Sequence, residues 1–589
     1  MTAGMVTLEI VTCGPCSQMS AVSRLTHPSR ASRWIATASS PAWPSTATST
    51  VNLVTQLEAI GEAAAQQRKE SATAGASTAQ LMAGLGVLLD CRQDQHGGFF
   101  VLHRGAGRPE HVPLLSERYK DLVRVRATQI GGYATSVPTE KMNTIISIAR
   151  NSALQRPPER VYRRVGRDGD DYLFDLGSDL VVRITPQGFS IEQNDRYPFR
   201  QSREQAVMVP PIPCDNAVEA FLRLGPLLAG VPGKDQVKFL AVLVEYHRTN
   251  TPYPILQLTG PEGSSKSAVA EHVLRVVDDF VADEPPSTGL ELEDITASAQ
   301  HRHAILLDNA SELGKGVENM MCIMSLGGTQ TSRLLYTNSE QHVAVLHNPL
   351  VITAIRPVIR QADTLDRTLS IAVERPQTNV PMSQVRREFR ARLPEIQGGL
   401  LFFLSTALRM RDEVAQTPGI GGHRMVDWLM TGEAIARSLG VAPGRFLRQM
   451  QRSRRAAARD YIEGDLFASA LVRLIDTWVA TAVKRHQTQE ALPSWRTWSS
   501  TPGWCVVATE TGHRVAATPQ AILKELTQHV EGVTNTLYDQ RIPRTARAVT
   551  SALQRVQGVL GRAGTACERQ TVNGGSNAYW IFDRPGDRP

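Results

Sequence analysis

The chain of 589 residues carries a formal net charge of +7, and this length predicts three or four domains. A mildly basic balance suits contact with nucleic acid without establishing it. No apolar run reaches the roughly 18–20 residues of a membrane span. The seven cysteines are scattered and lack the spacing of a disulfide framework, so a cytoplasmic globular protein without a membrane partner is expected.

Residues 1–50 are predicted to be a disordered tail or a mis-assigned start rather than part of a fold. No Asp or Glu occurs from Val11 to Leu57, a composition that also resembles a transit peptide. The segment Cys13-Gly14-Pro15-Cys16 matches the thioredoxin redox motif, but a thioredoxin site needs a βαβ scaffold on both sides, and only twelve residues precede it. We therefore interpret this match as accidental.

Residues 51–205 are predicted to form an independent α/β accessory domain that binds a substrate or partner. The predicted elements are a helix over Val51–Ala74 and strands at Phe99–Leu102, Val161–Val165, Tyr172–Asp175 and Val181–Ile184. Gly169 marks a hairpin turn. The acids Asp168, Asp170 and Asp171 raise the alternative of a primase, which needs strand-borne aspartates and a later Ser-x-His. No Ser-x-His follows, so a solvated turn is favoured.

A core is predicted over residues 206–385, and it begins with the proline-rich segment Met208–Pro213, typical of a stiff linker. Helices over Asn216–Leu228 and Lys234–Arg248 then lead to a short apolar strand that starts at Ile255. A glycine-rich turn and a helix opened by Lys266 follow it, which is the context of a P-loop. The candidate ATP-binding residues are Gly260, Gly263, Ser264, Ser265, Lys266 and Ser267.

Chemistry assigns different tasks to these residues. Glycines let backbone N–H groups wrap phosphate oxygens, Lys266 bridges the β- and γ-phosphates, and the Ser267 hydroxyl ligates Mg²⁺. About 40 residues later an apolar strand ends at Asp308-Asn309, as a Walker B strand does, and its acid would hold the same Mg²⁺. A further apolar strand carries Thr353. Arg367 follows and could reach the nucleotide of a neighbouring subunit as a finger.

This order of motifs resembles the superfamily 3 helicases and their poxvirus- and phage-type primase-helicase relatives, which are AAA+-like ring ATPases. It is most similar to ATP-binding proteins of phages and integrated elements with a G-x-x-G-S-x-K-S loop and an aspartate-asparagine Walker B. The matching stretches are Leu256–Ala270, Ile305–Ser311, Ser325–Thr337, Pro349–Ile355 and Asp366–Leu369. The resemblance implies a DNA-gripping pore loop at 325–337, with Arg333 on a phosphate, and a hexameric ring around single-stranded DNA.

Three departures bear on what the resemblance implies. Ser265 stands at the second glycine of G-x-x-x-x-G-K-[ST], and Thr353 stands where a sensor asparagine is usual. Asn309 occupies the position of the glutamate that polarises water in many AAA+ ATPases. An amide cannot act as a base, so hydrolysis is slow or uses another acid, with Glu312 the nearest candidate. Nucleotide binding is therefore better supported than turnover.

Residues 386–485 are predicted to form a helical lid or collar. The arginines Arg445, Arg448, Arg452, Arg455 and Arg459 recur at intervals of three and four, which places them on one face of one helix. No acid lies between them at helical spacing, so a phosphate-binding stripe is favoured over a merely solvated face.

Residues 490–589 are predicted to form a winged-helix-like domain. Helices are expected over Pro519–Val530 and Thr545–Ala563, the second with Arg547, Arg555 and Arg562, and a wing is expected around Asn573-Gly574-Gly575. Such modules place a helix in the DNA major groove, although they also bind proteins.

The predicted fold class is α/β multidomain, with an AAA+-like P-loop core, an N-terminal α/β domain, a helical lid and a C-terminal winged helix. The predicted function is an ATP- and Mg²⁺-dependent DNA helicase or replication initiator of a phage or mobile element, working with replication proteins. The alternative is a nucleotide-dependent switch or loader that unwinds nothing. A small-molecule kinase is a weaker third reading, because such chains are usually short.

Overall fold

The computed structural model describes residues 78–104, 109–130, 137–200, 202, 204–333, 341–375, 380–485, 488–489, 503–531, 542–572 and 577–585. The predicted tail, the predicted helix Val51–Ala74 and the predicted wing turn lie outside these ranges. The chain divides into two compact units, residues 1–84 with 124–137, and residues 85–123 with 138–589. In the first unit the Arg126 guanidinium donates to the Gly84 carbonyl at 3.0 Å.

Two antiparallel sheets make up the N-terminal part of the described chain. The helices of this part are α1 (Thr78–Leu85), α2 (Glu117–Ile130) and α3 (Thr139–Leu154). The first sheet has strands β1 (Cys91–Gln93), β2 (Phe99–Arg104) and β3 (Pro109–Pro113). The second sheet is a four-stranded meander of β4 (Val165–Asp168), β5 (Asp171–Asp175), β6 (Leu180–Thr185) and β7 (Gly188–Gln193). The predicted strands at Phe99, Tyr172 and Val181 are confirmed.

The turn at Gly169 is also confirmed, with φ of 61°, but its first strand begins at Val165 instead of ending there. The acids around it are paired, not merely solvated. Arg183 forms ion pairs with Asp171 at 2.8 Å and with Asp168 at 3.1 Å. These ion pairs therefore link three neighbouring strands, because Asp168 lies on β4, Asp171 on β5 and Arg183 on β6 of one sheet.

The β4–β7 sheet shares a hydrophobic core with the following segment, which departs from the expected independence of residues 51–205. Phe174 and Val182 are fully buried in the same cluster as Phe239 and Leu404. Arg164 is also fully buried, and its guanidinium pairs with Asp278 at 3.1 Å and donates to the Asp175 carbonyl at 3.0 Å. The predicted linker packs as well, since the Ile212 N–H donates to the Pro394 carbonyl.

A four-stranded parallel sheet forms the centre of the larger unit. Its strands are β8 (Ile255–Thr259), β9 (Ile305–Leu307), β12 (Leu350–Ala354) and β13 (Thr368–Ala372), and they lie in the order β13-β8-β12-β9. Parallel strands are buried on both faces, and β8, β9 and β12 are accordingly buried at every position. Because the strands are parallel, the residues that follow them meet at one edge.

Helices surround this sheet, and a hairpin projects between β9 and β12 in the chain. The helices are α4 (Ala217–Arg223), α5 (Gly225–Leu228), α6 (Gln236–Tyr246), α7 (Lys266–Val277), α8 (Leu292–His301), α9 (Lys315–Leu326) and α10 (Ala362–Leu365). The hairpin has strands β10 (Gly328–Arg333) and β11 (Gln341–Leu346), paired from Gly328–Leu346 to Arg333–Gln341.

The next region is helical, as predicted. It comprises α11 (Met382–Arg409), α12 (Arg411–Ala415), α13 (Val426–Ser438), α14 (Arg445–Gly464) and α15 (Leu466–Lys484). By length and composition, α15 is apolar enough to cross a membrane. Its side chains Phe467, Leu474 and Trp478 nevertheless lie in the hydrophobic core of the C-terminal region.

The C-terminal sheet is larger than predicted. The expected hairpin is present as β16 (Ala566–Val572) and β17 (Asn577–Pro585), but a second hairpin of β14 (Trp504–Thr509) and β15 (Gly512–Ala517) extends it to four strands in the order β14-β15-β17-β16. Helices α16 (Pro519–Glu531) and α17 (Ala546–Ala563) pack on this sheet. Ala517 of β15 pairs with Trp504 of β14 on one side and with Trp580 of β17 on the other, which couples the two hairpins.

Candidate nucleotide site and nucleic-acid interface

The loop from Gly260 to Ser267 connects β8 to the N-terminus of α7. Gly260 has φ of 151° and Gly263 has φ of 75°, conformations that side chains rarely adopt. A Cβ atom at Gly260 would lie 2.6 Å from the Ser264 Oγ. The loop is therefore tightly curled, with the first N–H groups of α7 unpaired within the helix and available for an anion.

Ser265 adopts the left-handed conformation that a glycine would adopt easily. Its φ and ψ are 60° and 22°, and it is the residue immediately before α7. A Cβ atom in this region costs about 1–2 kcal/mol. The serine at the second glycine position therefore preserves the loop geometry but strains the backbone.

Replacement of Ser265 by glycine is expected to relieve this strain. Glycine also loses more conformational entropy on folding, so the net gain in unfolding free energy is about 1 kcal/mol or less. Thermal unfolding would check it, with Ser265→Ala as the matched control, because alanine keeps the Cβ atom. A glycine variant that is no more stable than the alanine variant would contradict the strain.

Lys266 lies across the loop that it terminates. Its Nζ donates to the Pro261 carbonyl at 2.9 Å and to the Ser264 Oγ at 3.4 Å. Both acceptors belong to the loop itself, so the ammonium group already sits over its concave side. Oxygens of a bound phosphate would be stronger partners for the ammonium group than these neutral acceptors.

Three polar side chains from three elements converge beside this lysine. The Asp308 Oδ1, just after β9, accepts hydrogen bonds from the Thr353 Oγ1 at 2.5 Å and from the Ser267 Oγ at 3.4 Å. Thr353 is 1% exposed at the end of β12, and its hydroxyl also accepts from the Asn309 N–H at 2.7 Å. The parallel sheet causes this meeting, since β8, β9 and β12 all end at this edge.

The donor set suits a magnesium ion bound with phosphate. Mg²⁺ takes oxygen ligands, keeps several waters and commonly uses one or two protein ligands beside substrate phosphates. Ser267 and Asp308 offer one hydroxyl and one carboxylate at hydrogen-bond distance from each other. No group of three or more His, Cys, Asp or Glu that could hold a metal occurs among the described residues, so an all-protein metal cage is not formed in that part of the chain.

The residue after Asp308 is Asn309, whose side chain is an amide at the position where a catalytic base is usual. Asn309 is exposed and has a left-handed φ of 54°, and its backbone N–H is held by Thr353. Glu312, four residues after Asp308, is also exposed, and the hydrogen bonds of the described residues do not connect it with Asp308. Neither the side chain of Asn309 nor that of Glu312 is therefore held by a described hydrogen bond in a position to activate water beside Asp308.

Arg375 is a site residue that the sequence reasoning missed. It follows β13, and its guanidinium donates to the Glu262 carbonyl of the loop at 3.0 Å. The adjoining Val373 N–H donates to the Thr259 carbonyl, which holds this segment beside the loop. The one sequence feature that indicates Arg375 is its position just beyond β13, the strand that follows Arg367.

Arg367 does not have the exposure that a finger requires. The residue is 6% exposed, and its Nη1 pairs with the Asp363 carboxylate at 2.7 Å and with the Asp363 carbonyl at 2.6 Å. A side chain held this way within its own chain cannot project to a neighbour. The prediction of a finger is corrected on this point, because burial and Asp363 engage the guanidinium internally.

The predicted arginine stripe forms one exposed face of α14. All five members are exposed, and no ion pair joins them to an acid among the described residues: Arg445, Arg448, Arg452, Arg455 and Arg459. Arg454 lies on another face and pairs with Asp366 at 2.6 Å. Helical periodicity therefore separates the arginines that anchor the helix from those that face solvent.

The other predicted DNA contacts differ from one another. Arg333 is the last residue of β10, and its side chain lies outside the described part of the structure. Arg547 is exposed near the start of α17. Arg555 pairs with Asp465 at 3.1 Å, and Arg562 pairs with Asp366 at 2.8 Å. Arg555 and Arg562 therefore hold α17 against neighbouring helices, which leaves Arg547 as the freer candidate.

Known proteins show a partial likeness to this chain. Among solved structures, the A form apo structure of the NrS-1 C-terminal region is 10% identical, with 84% of this chain and 96% of that chain covered and a TM-score of 0.36. The JCV helicase is 13% identical, with 39% and 62% covered and a TM-score of 0.21. These TM-scores are too low to define a shared fold. No curated protein matches the chain.

A family model gives the more specific match. It is described as actinomycete integrative conjugative element replication protein and matches residues 228–442, which is less than half of the chain. The matched stretch contains the Gly260–Ser267 loop, Asp308 and Thr353. Over these residues, the chain is similar to replication proteins of actinomycete integrative conjugative elements.

Proposed function

We propose that this protein is an ATPase that moves on or opens DNA during replication of a mobile element, as a helicase, translocase or initiator. The observation that carries the proposal is the convergence of Ser267, Asp308 and Thr353 beside Lys266 at one edge of a parallel sheet. The match of residues 228–442 to replication proteins of conjugative elements supports the setting.

In this proposal the loop binds the phosphates of ATP. Backbone N–H groups at the start of α7 and the Lys266 ammonium group hold the phosphate oxygens. Ser267 and Asp308 hold Mg²⁺, which neutralises phosphate charge when bound. Thr353 keeps the Asp308 carboxylate oriented through its 2.5 Å hydrogen bond, and Arg375 adds a positive charge at the rim of the loop.

DNA contact in this proposal comes from outside the nucleotide site. The five exposed arginines of α14 track a phosphate backbone, and the β10–β11 hairpin, whose strand β10 ends at Arg333, enters the path of a single strand. Assembly into a ring, with hexamer the expected size, would bring several hairpins to one strand. Arg367 has no part in such a ring as a finger.

A specific observation favours a second candidate. Asn309 occupies the place of the usual base, and no acid contacts Asp308 among the described residues. A protein built this way could bind ATP tightly and turn it over slowly, as a switch or loader that assembles on DNA without unwinding it. The two candidates share nucleotide binding and differ in turnover.

The test is ATP hydrolysis with and without single-stranded DNA, with oligomer size measured alongside. For the motor, DNA is expected to stimulate turnover in the wild type, and Lys266→Ala is expected to abolish it because the phosphate-binding ammonium group is lost. Arg387→Ala, an exposed arginine on α11, is the control and should leave turnover unchanged. Tight ATP binding with negligible turnover, with or without DNA, would reject the motor and leave the switch.

A further inference from the structure

A basic cleft lies at the opposite end of the parallel sheet from the Gly260–Ser267 loop. Its volume is about 480 Å³, and it is lined by residues that precede the strands, including Tyr253 before β8, His303 before β9 and His347 before β12. The loop and Asp308 lie where those strands end. With about 3.3 Å per residue, a five-residue strand such as β8 separates the two regions by roughly 17 Å.

The facing wall of this cleft comes from the segment around β4. The chain just before β4 contributes Arg160, Tyr162 and Arg163, and Arg200, which follows β7, lies beside it through a hydrogen bond from its N–H to the Tyr162 carbonyl. Arg160 is exposed, whereas Arg163 and Arg200 are half-buried. The base of the β10–β11 hairpin completes the cleft through Gly327 and Val345.

The three arginines of the cleft have no directly paired carboxylate among the described residues. None forms an ion pair or side-chain hydrogen bond with any residue in the described ranges. The lining carboxylate, Asp94, accepts at 2.8 Å from the N–H groups of His96 and Gly98, which ties it to its own turn. The neighbouring Arg164 differs, because it is fully buried and fully paired.

The acid that could compensate these charges is already engaged. Asp278 accepts from the Arg164 guanidinium at 3.1 Å and from the His303 N–H at 2.8 Å. Burial, followed by the charge of Arg200, lowers the pKa of Arg163 to about 10. Burial and then the charges of Arg200 and Arg163 also lower the pKa of His301. Asp278 offsets part of the charge of Arg163, but Asp278 and Asp94 are both engaged by other groups. The cleft therefore keeps an excess of positive charge at a partly desolvated position, which favours the binding of an anion.

The hairpin side of the cleft is held by tight local contacts. The His347 ring stacks on Tyr253 with centroids 4.3 Å apart, and its Nε2 lies 2.9 Å from the Thr251 carbonyl. The Tyr253 N–H donates to the Ser325 carbonyl at 2.7 Å. An anion bound in the cleft would therefore lie directly against the root of the hairpin.

We propose that this cleft is a second phosphate-binding site, in which Arg160, Arg163 and Arg200 hold the phosphates of nucleotide units at the base of the β10–β11 hairpin. Guanidinium groups bind phosphate through paired N–H donors, and the volume matches a nucleotide-sized ligand. The phosphates come either from a DNA strand that continues past the hairpin or from a free nucleotide. The site is separate from the Gly260–Ser267 loop, so it does not depend on ATP hydrolysis.

The test measures binding of two probes to the full chain, a labelled thymidine oligonucleotide over a salt series and ATP in the Lys266→Ala background. The variant is Arg163→Gln with Arg200→Gln, and the charge-matched control is Arg387→Gln with Arg392→Gln on α11, both exposed. If a strand is the ligand, the cleft variant is expected to bind the oligonucleotide about tenfold more weakly, with a salt slope smaller by about 1.4. If a free nucleotide is the ligand, ATP binding that survives Lys266→Ala is lost instead.

Equal binding of both probes by the cleft variant and the wild type would overturn the proposal, as would an equal loss in the control. Thermal unfolding of each variant accompanies the measurement. If the double variant unfolds, Arg160→Gln replaces it, because Arg160 is exposed and should not affect folding. About threefold weaker binding by that variant is expected, and unchanged binding of both probes would overturn the proposal.

Discussion

Replacement of Asp308 by asparagine is expected to reduce ATP turnover by about a hundredfold or more. The Asp308 carboxylate is the shared acceptor of Thr353 and Ser267, and asparagine keeps its shape while removing its charge. Loss of one well-placed electrostatic group typically costs about 10²–10³ in turnover. Phosphate release at saturating ATP and Mg²⁺ would measure it, with thermal unfolding to confirm that the fold is kept.

Thr353 provides a matched pair of variants for the same site. Thr353→Ser keeps the hydroxyl that donates to Asp308 and accepts from the Asn309 N–H, whereas Thr353→Val keeps the shape and removes both hydrogen bonds. We expect the serine variant to retain most turnover and the valine variant to lose most of it. If the valine and serine variants turn over ATP at the same rate, or if Asp308→Asn turns over at the wild-type rate, the cluster of Ser267, Asp308 and Thr353 is not the hydrolytic site.

Neutralising the exposed face of α14 is expected to weaken DNA binding and its dependence on salt. Each phosphate contact to a single strand contributes about 0.7 to the slope of log affinity against log salt. The triple variant Arg448→Gln, Arg452→Gln and Arg455→Gln should therefore lower the slope by about 2 and the affinity by tenfold or more. Fluorescence anisotropy with a single-stranded oligonucleotide over a salt series would measure both quantities.

The control for this prediction carries the same change of charge on another helix. Arg387, Arg390 and Arg392 are exposed on α11 and are replaced by glutamine together. We expect this triple variant to bind DNA nearly as the wild type does, because local phosphate contacts outweigh net charge. An equal loss of affinity in both triple variants would show that net charge alone attracts DNA.

Several parts of the candidate site were predictable because they depend on local pattern. An apolar strand, a glycine-rich turn and a helix beginning at Lys266 follow one another in the chain, so short-range geometry determines their order. Asp308 follows one apolar strand and Thr353 lies near the end of another, and the ends of parallel strands share one edge. The α14 arginines needed only helical periodicity.

Partners distant in sequence decided the rest. Arg367 matched a finger by position, but Asp363 and burial engage it. Arg454 and Asp366, an ion pair, are 88 residues apart, and no local pattern connects them. The β4–β7 sheet reads as a separate module until its apolar face is seen in the common core.

The sequence by itself determined the mixed α/β class, the loop with its lysine, the acid and hydroxyl of the candidate site and the exposed stripe, because each follows from periodicity or from adjacency along the chain. Only the tertiary structure decided that Arg367 is internal, that Arg375 borders the loop and that Arg163 and Arg200 share a cleft. Burial and charge pairing depend on which segments meet in space. The sequence shows that an arginine is charged but not whether a carboxylate lies near it in the folded chain. The role of an arginine can therefore be assigned only from the tertiary structure.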